Sequence, residues 1–165
     1  MVSNPLIRRE ALAEIGGFDE SLLGGQDFDL YIRLAARYHF VALPVVQVFY
    51  RLSCNSISAQ IGRQEKQCLA VIEKAFLQAP ASLQYLKKQS LAKLYKYLFC
   101  RTLQDYPSPE KGRMAIKFLF KYMHYDSSAL QQKQFLLIIF FKSFIIALFP
   151  SSVAQRILSR LKRSS

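Results

Sequence analysis

The amino-acid sequence predicts an α/β region over residues 1–59 and an all-α region over residues 60–165. Short runs rich in β-branched and aromatic residues lie in the first region and are typical of strands. In the second region apolar residues recur at helical spacing, and prolines separate the segments. The balance of charges changes at the same boundary. The first region holds five Lys or Arg and six Asp or Glu, whereas the second holds eighteen Lys or Arg and five Asp or Glu. We therefore expect two domains, of which the second is strongly basic.

Two helices and two strands are predicted in the first region. Gly16 and Gly17 end the first helix, since glycine commonly terminates helices. Gly24 and Gly25 precede the second helix, and Pro44 confines the strand before it to an edge or an end. The predicted helices span residues 8–15 and 26–38, and the predicted strands span residues 40–43 and 45–50.

Five helices are predicted in the second region, with breaks at Pro80, at Pro107 and at Pro150. The second and third of them carry apolar faces that include Leu98 and Phe118, and a short loop joins them, so we expect them to pack antiparallel. This pair resembles one tetratricopeptide-like hairpin over residues 91–128, and a single such unit cannot form a solenoid. The predicted helices span residues 60–79, 82–105, 109–124, 128–149 and 151–163.

The helix over residues 26–38 places two carboxylates on different faces. Asp27 shares a face with Leu30 and should therefore turn towards an interior or a cleft. Asp29 lies four residues before Arg33, where the two side chains can pair. An inward carboxylate at a helix N-terminus is what a general base for a hydroxyl group requires. The alternative for Asp27 is an ordinary first-turn carboxylate that interacts with the helix dipole.

Three motifs surround these carboxylates in a defined order. Gly-Gly-Phe-Asp-Glu at 16–20 precedes Gln26-Asp27, and Tyr50-Arg51 follows. In this order and spacing, residues 3–58 resemble the acceptor half of a family 2 glycosyltransferase with the GT-A fold. The resemblance implies a partial α/β GT-A domain. It also implies transfer of a sugar, with inversion, from a nucleotide-sugar donor to an acceptor hydroxyl.

The resemblance also implies roles for single residues. Asp27 falls on the position of the family's catalytic base. Gln26 and Asp29 are assigned to acceptor binding, and Gln26 has the alternative role of orienting Asp27. The residues themselves leave two other readings open, in which Gln26 is a solvated helix start and Asp29 supports the helix through Arg33.

Tyr50 and Arg51 are assigned by the resemblance to diphosphate binding. The guanidinium of Arg51 offers a fork of donors that suits phosphate, and the alternative is an ion pair with Asp19 or Glu20. Many relatives carry a histidine two residues after this arginine, and this chain has Ser53 there. The help that such a histidine gives to metal or diphosphate is therefore not expected here.

The family's nucleotide-binding half, with its metal-binding Asp-x-Asp motif, has no counterpart in these residues. The triplet Asp27-Phe28-Asp29 has that spelling but lies on the acceptor helix. We therefore expect the chain to be a C-terminal piece of a longer enzyme that uses Mn²⁺ or Mg²⁺. By itself the piece is expected to bind no metal and to be inactive.

The sequence is also compatible with two other functions. The chain is alternatively a non-catalytic remnant whose helices serve as a membrane or protein adaptor. A basic helical nucleic-acid binder is the weaker alternative, because no aromatic residues interleave with basic ones in the manner of such proteins. We therefore predict no nucleic-acid partner, and we predict a glycan or a lipid-linked molecule as the acceptor of the complete enzyme.

Two C-terminal segments, residues 135–149 and 151–165, indicate where in the cell the protein is located. Residues 135–149 are apolar except for Lys142 and Ser143, and they are shorter than the roughly 20 residues of a spanning helix. Residues 151–165 form a basic amphipathic pattern that suits an anionic bilayer surface. Together with three cysteines that lack metal-site spacing, this predicts a cytoplasmic protein in peripheral contact with the inner face of a membrane. The alternative buries residues 135–149 in a helical bundle.

Overall fold

The computed structural model describes residues 5–49, 61–103, 107–131 and 133–163 of the chain. Within these ranges all regular secondary structure is helical. Short 3₁₀ segments lie at Ala81–Leu83 and Ser127–Gln131. The α-helices are α1 (Arg9–Ile15), α2 (Gln26–Ala35), α3 (Ile61–Gln78), α4 (Leu86–Thr102), α5 (Pro109–Tyr125), α6 (Lys133–Leu148) and α7 (Ser151–Arg163).

The predicted α/β class is wrong for the part of the chain that the structure describes. Residues 40–49, which contain most of the two predicted strands, form neither a strand nor a bridge. A strand is stable only when its backbone groups pair with a neighbour, and β-propensity mostly measures how well side chains pack on such a surface. No partner strand is present among the described residues, and Phe40, Val41 and Val46 are exposed. The partial GT-A sheet is therefore not observed.

The chain divides into two compact units, residues 1–80 and 81–165. In the first unit, Ala11 of α1 and Leu30 and Leu34 of α2 form a buried cluster. Helix α2 also packs on α3, where Val71 and Ile72 are buried. The predicted domain boundary between residues 59 and 60 stays a prediction.

The second unit is built from consecutive helices that pack on one another, α4 on α5 and α5 on α6. The apolar faces predicted to meet are confirmed as buried, and the likeness to a tetratricopeptide hairpin stays a prediction. The shared core of α4 and α5 consists of Leu91, Leu94, Tyr95, Leu98, Phe99, Ala115, Phe118, Leu119 and Tyr122.

Helices α5 and α6 approach closely at Gly112. A Cβ atom on Gly112 would lie 2.3 Å from the backbone nitrogen of Ala147, so glycine is required for this crossing. Ser143 and Ile146 of α6 are buried, whereas the outer side of the helix remains exposed. Burial of residues 135–149 in a bundle is therefore correct for one face of α6 only. Among the described residues, no helix is both long and apolar enough to cross a membrane.

Candidate active site

The N-terminus of α2 lies on α3 through the paired glycines. Gly25 adopts a left-handed conformation (φ 76°), which glycine accepts without steric cost. A Cβ atom on Gly24 would lie 2.2 Å from Cδ of Gln67 on α3, and Nε2 of Gln67 donates to the carbonyl oxygen of Leu23 at 2.9 Å. The loop before α2 thus rests directly on α3, which fixes where the first turn of α2 begins.

Asp27 occupies this first turn and is half-buried. Its Oδ1 accepts a hydrogen bond from the backbone N–H of Phe28 at 2.9 Å. Burial raises the pKa of Tyr31, and the negative charge of Asp27 raises it further. The same two causes raise the pKa of the Cys68 thiol on α3. Asp27 therefore lies near α3 and still retains exposed surface.

Gln26 turns back towards the preceding loop. Its Nε2 donates to the carbonyl oxygen of Leu22 at 2.7 Å. This bond closes the turn that leads into α2. The amide group of Gln26 thus supports the position of Asp27, and its predicted contact with an acceptor stays a prediction.

Asp29 is the more deeply buried of the two carboxylates, with 4% of the residue exposed. Its Oδ2 lies 2.8 Å from Nε of Arg33, which confirms the predicted pairing along the helix. Its Oδ1 lies 2.7 Å from Nζ of Lys74 on α3. Both carboxylate oxygens therefore join ion pairs inside the first unit. This arrangement is typical of a residue that positions its neighbours.

Arg33 extends the same network to the glycine-containing loop after α1. Its Nη1 donates to the carbonyl oxygen of Ile15 at 2.8 Å, and its Nη2 donates to that of Gly17 at 2.8 Å. Because a helix leaves its last carbonyl groups without partners inside the helix, these bonds stabilise the end of α1. The pairing with Asp29 was predictable from sequence, but the bonds to the loop were not.

Lys74 was not predicted as part of the site. Its Nζ lies 2.6 Å from Oδ2 of Asp19 as well as 2.7 Å from Asp29. Desolvation lowers the pKa of Lys74, but the hydrogen bonds to the two carboxylates outweigh it, and the pKa is raised. The hydrogen bonds from Lys74 and Ser21 hold the pKa of Asp19 well below its usual range. No local sequence pattern predicts these ion pairs of Lys74, since its partners are 45 and 55 residues away in the sequence.

The two other predicted site residues are those assigned to diphosphate binding. Tyr50 and Arg51 lie outside the described residues. In the described part of the chain, no three His, Cys, Asp or Glu side chains converge in a way that suits a metal ion. The described residues therefore offer no ligand set for Mn²⁺ or Mg²⁺, and the metal that the resemblance implies for the complete enzyme stays a prediction.

The second unit contains a groove of about 390 Å³ between α4 and α5. Gln26, Asp27 and Asp29, the described residues predicted for the site, do not line it. It is lined by Gln89, Ala92, Lys93, Lys96, Tyr122, Tyr125, Asp126 and Ser128.

Comparison with known protein families decides the affiliation of the chain. The sequence model described as glycosyltransferase-like family 2 matches residues 1–101. The chain belongs to glycosyltransferase-like family 2. The match supports a glycosyltransferase function in general, with a nucleotide sugar and an acceptor as the general partners of such proteins. No curated protein and no solved structure matches the chain significantly.

The family match contains the whole network around Asp29. It extends past α3 into α4, and thus beyond the segment whose motifs carry the resemblance. In this glycosyltransferase-like protein, helix α3 therefore belongs to the family region and supplies Lys74 to the network.

Proposed function

We propose that this chain contributes the acceptor side of a glycosyl transfer, in which Asp27 is the general base for the acceptor hydroxyl. The contrast between two carboxylates on α2 supports this assignment. Asp29 is buried and holds two cations, whereas Asp27 is half-buried and retains surface that a substrate can reach. Family membership supports the reaction class.

The proposed chemistry needs one proton transfer to Asp27. Its carboxylate takes the proton of the acceptor hydroxyl, and the acceptor oxygen forms a bond to the anomeric carbon of the donor sugar. The bond between that carbon and the nucleoside diphosphate breaks, and the leaving group takes the electron pair. Attack from the side opposite the leaving group inverts the anomeric carbon. A carboxylate within hydrogen-bond reach of the hydroxyl is sufficient for the base function.

The neighbouring residues take supporting parts in this proposal. Gln26 holds the turn before Asp27, and its contact with the acceptor stays a prediction. Asp29 positions α2, and its predicted contact with the acceptor stays a prediction. Tyr50 and Arg51 are kept as candidates for contact with the diphosphate.

Location and acceptor class complete the proposal. We place the protein in the cytoplasm, at the inner face of a membrane, where a lipid-linked or envelope glycan acceptor would be available. The basic composition of residues 60–165 supports contact with an anionic surface. The alternative, a non-catalytic helical adaptor, predicts that Asp27 is dispensable for any activity of the protein.

The test is a transfer assay on this chain together with a nucleotide-binding half, using UDP-, GDP- and TDP-sugars with Mn²⁺. Asp27→Asn keeps the shape of the side chain and removes the base, and we expect turnover to fall at least about 100-fold. Glu20→Gln is the matched control, because Glu20 is an exposed carboxylate in the loop before α2. Equal turnover for both variants would remove Asp27 from the mechanism and favour the adaptor.

A further inference from the structure

Helix α6 is apolar on both sides, and among the described residues it buries only one of them. Ser143 and Ile146 are buried on the inner side. The outer side carries a stripe of four apolar side chains at spacing i, i+4, i+7 and i+11, which places them on one helical face. These are Leu137, Phe141, Phe144 and Leu148, which are 56%, 60%, 44% and 61% exposed. We call them the α6 stripe.

Exposure on this scale requires an explanation. Single apolar residues on a surface are ordinary, but a contiguous patch of large ones marks a contact with another molecule or with a membrane. Ile138, also exposed, borders the stripe and widens it. The α6 stripe is therefore expected to contact another molecule or a membrane. The charge of the residues around it indicates which of the two.

The charge of the second unit favours an anionic occupant. Residues 81–165 contain fifteen Lys or Arg and only three Asp or Glu. Helix α7 follows α6 after Pro150, and its Arg156 and Arg160 are exposed. Ala154 of α7 is fully buried, so α7 is anchored while Arg156 and Arg160 remain in solvent. An apolar stripe followed by a basic helix is typical of elements that lie on anionic bilayers.

Two alternative contacts of the α6 stripe fit less well. Helix α6 is too short to span a bilayer, because its 16 residues extend about 24 Å whereas the hydrocarbon core measures about 30 Å. The spacing of the stripe also suits a helix–helix seam with a second copy of the chain. That contact would bring together two units of the same strongly positive charge, which repel each other.

We propose that the α6 stripe, together with Arg156 and Arg160 of α7, forms a docking surface for a bilayer of anionic phospholipid, with α6 lying in the plane of the interface. Apolar side chains of the stripe enter the boundary between head groups and acyl chains. The basic residues are attracted to the negative surface within the Debye length, about 8 Å at physiological salt. This inference narrows the membrane contact proposed above to one surface and one lipid class, and it does not depend on the glycosyl-transfer chemistry.

The test is co-flotation of the full chain with vesicles of phosphatidylcholine, with and without phosphatidylglycerol. We expect binding to the anionic vesicles, much weaker binding to the neutral ones, and partial release at high salt. The double variant Phe141→Ser, Phe144→Ser should weaken binding at least about tenfold, since each phenylalanine loses apolar burial. Phe120→Ser is the matched control, because Phe120 is 58% exposed on α5. It should bind as the unaltered chain does.

A second pair of variants tests the charges. Arg156→Gln, Arg160→Gln should weaken binding about 25-fold, because each of the two basic residues near the surface contributes a factor of about five. Arg113→Gln, Lys117→Gln removes two exposed charges from α5 and should have a smaller effect. Circular dichroism of each variant should match that of the unaltered chain, because all the altered side chains are solvent-exposed.

Two results would overturn the docking surface. One is no binding of the unaltered chain to anionic vesicles at low salt. The other is sedimentation as a dimer that Phe141→Ser, Phe144→Ser dissociates, combined with vesicle binding that this variant leaves unchanged. In the second case the α6 stripe is an interface between copies of the chain.

Discussion

Nζ of Lys74 on α3 lies 2.7 Å from Oδ1 of Asp29 on α2, a carboxylate whose side chain is only 5% exposed. The contact joins helices that are far apart in the sequence, and it holds the helix that carries Asp27. Lys74 also reaches Asp19, in the loop between α1 and α2. The position of the proposed base therefore depends on a cation that takes no part in the proposed chemistry.

Replacing Lys74 should destabilise the first unit. Lys74→Met keeps most of the side-chain volume and removes the cation, which takes from buried Asp29 one of the two ion pairs that the described residues make with it. We expect the free energy of unfolding to fall by about 1–3 kcal/mol, the usual penalty for a buried polar group that loses a partner. Urea unfolding followed by circular dichroism measures it. Lys66→Met, at an exposed position of the same helix, should change stability by less than about 0.5 kcal/mol. Equal losses for both variants would contradict a role for the ion pairs.

Replacing the two carboxylates of α2 one at a time should lower the stability of the first unit to different extents. Asp29→Asn removes the charge that faces two cations, and we expect a loss of about 1–3 kcal/mol of stability, because Lys74 keeps Asp19 and Arg33 keeps the loop carbonyl groups as partners. Asp27→Asn, at a half-buried position, should lower stability by less than about 1 kcal/mol. The measurement is the free energy of unfolding of both variants in one buffer. A larger loss for Asp27→Asn would reverse the roles assigned here.

Low pH should weaken the contribution that Asp19 makes to the free energy of unfolding. Its folded pKa is depressed, so its stabilisation is present above the unfolded pKa of about 3.9 and is lost as the pH falls through the folded value. Lys74 has a raised pKa, and its contribution is lost only as the pH rises past its usual value of about 10.4. We therefore expect the stability difference between the unaltered chain and Asp19→Asn to be largest near neutral pH and to shrink below about pH 4.

Urea unfolding of both proteins between about pH 7 and pH 2 follows this difference across the range where Asp19 titrates. Glu20→Gln serves as the control, because Glu20 is exposed beside Asp19. Its stability should track that of the unaltered chain. A difference between Asp19→Asn and the unaltered chain that stays constant over this range would refute the assignment.

The crossing of α5 and α6 should tolerate no side chain at Gly112. Gly112→Ala would gain up to about 1 kcal/mol of helix propensity, but its Cβ would meet the backbone of Ala147. Because backbone cannot rotate away as a side chain does, the helices must separate, and we expect a net loss of about 1–3 kcal/mol. Thermal unfolding measures it. Gly17→Ala is the control, since a Cβ there meets nothing within 4 Å. A stabilised Gly112→Ala variant would show that the crossing is looser than described.

Several features followed from the sequence by itself because they depend on neighbours a few residues apart. The Asp29–Arg33 pair comes from two residues one helical turn apart, a spacing that is visible in the chain. The buried faces of α4 and α5 come from apolar residues at the helical period. Family membership, too, was indicated by the motifs between residues 16 and 51 and is shown by the match.

Other features were decided only by the tertiary structure, because they depend on partners distant in sequence. Residues 40–49 have the composition of strands, but they form none, because no described residue forms a neighbouring strand to accept and donate hydrogen bonds. Lys74 gained its role only when α3 packed against α2, since ion pairs across 45 and 55 residues leave no periodic pattern. Because α6 is apolar on all sides, its sequence does not show which side packs on α5. The close approach of α6 to Gly112 of α5 determines the packed side, and the α6 stripe on the other side remains exposed.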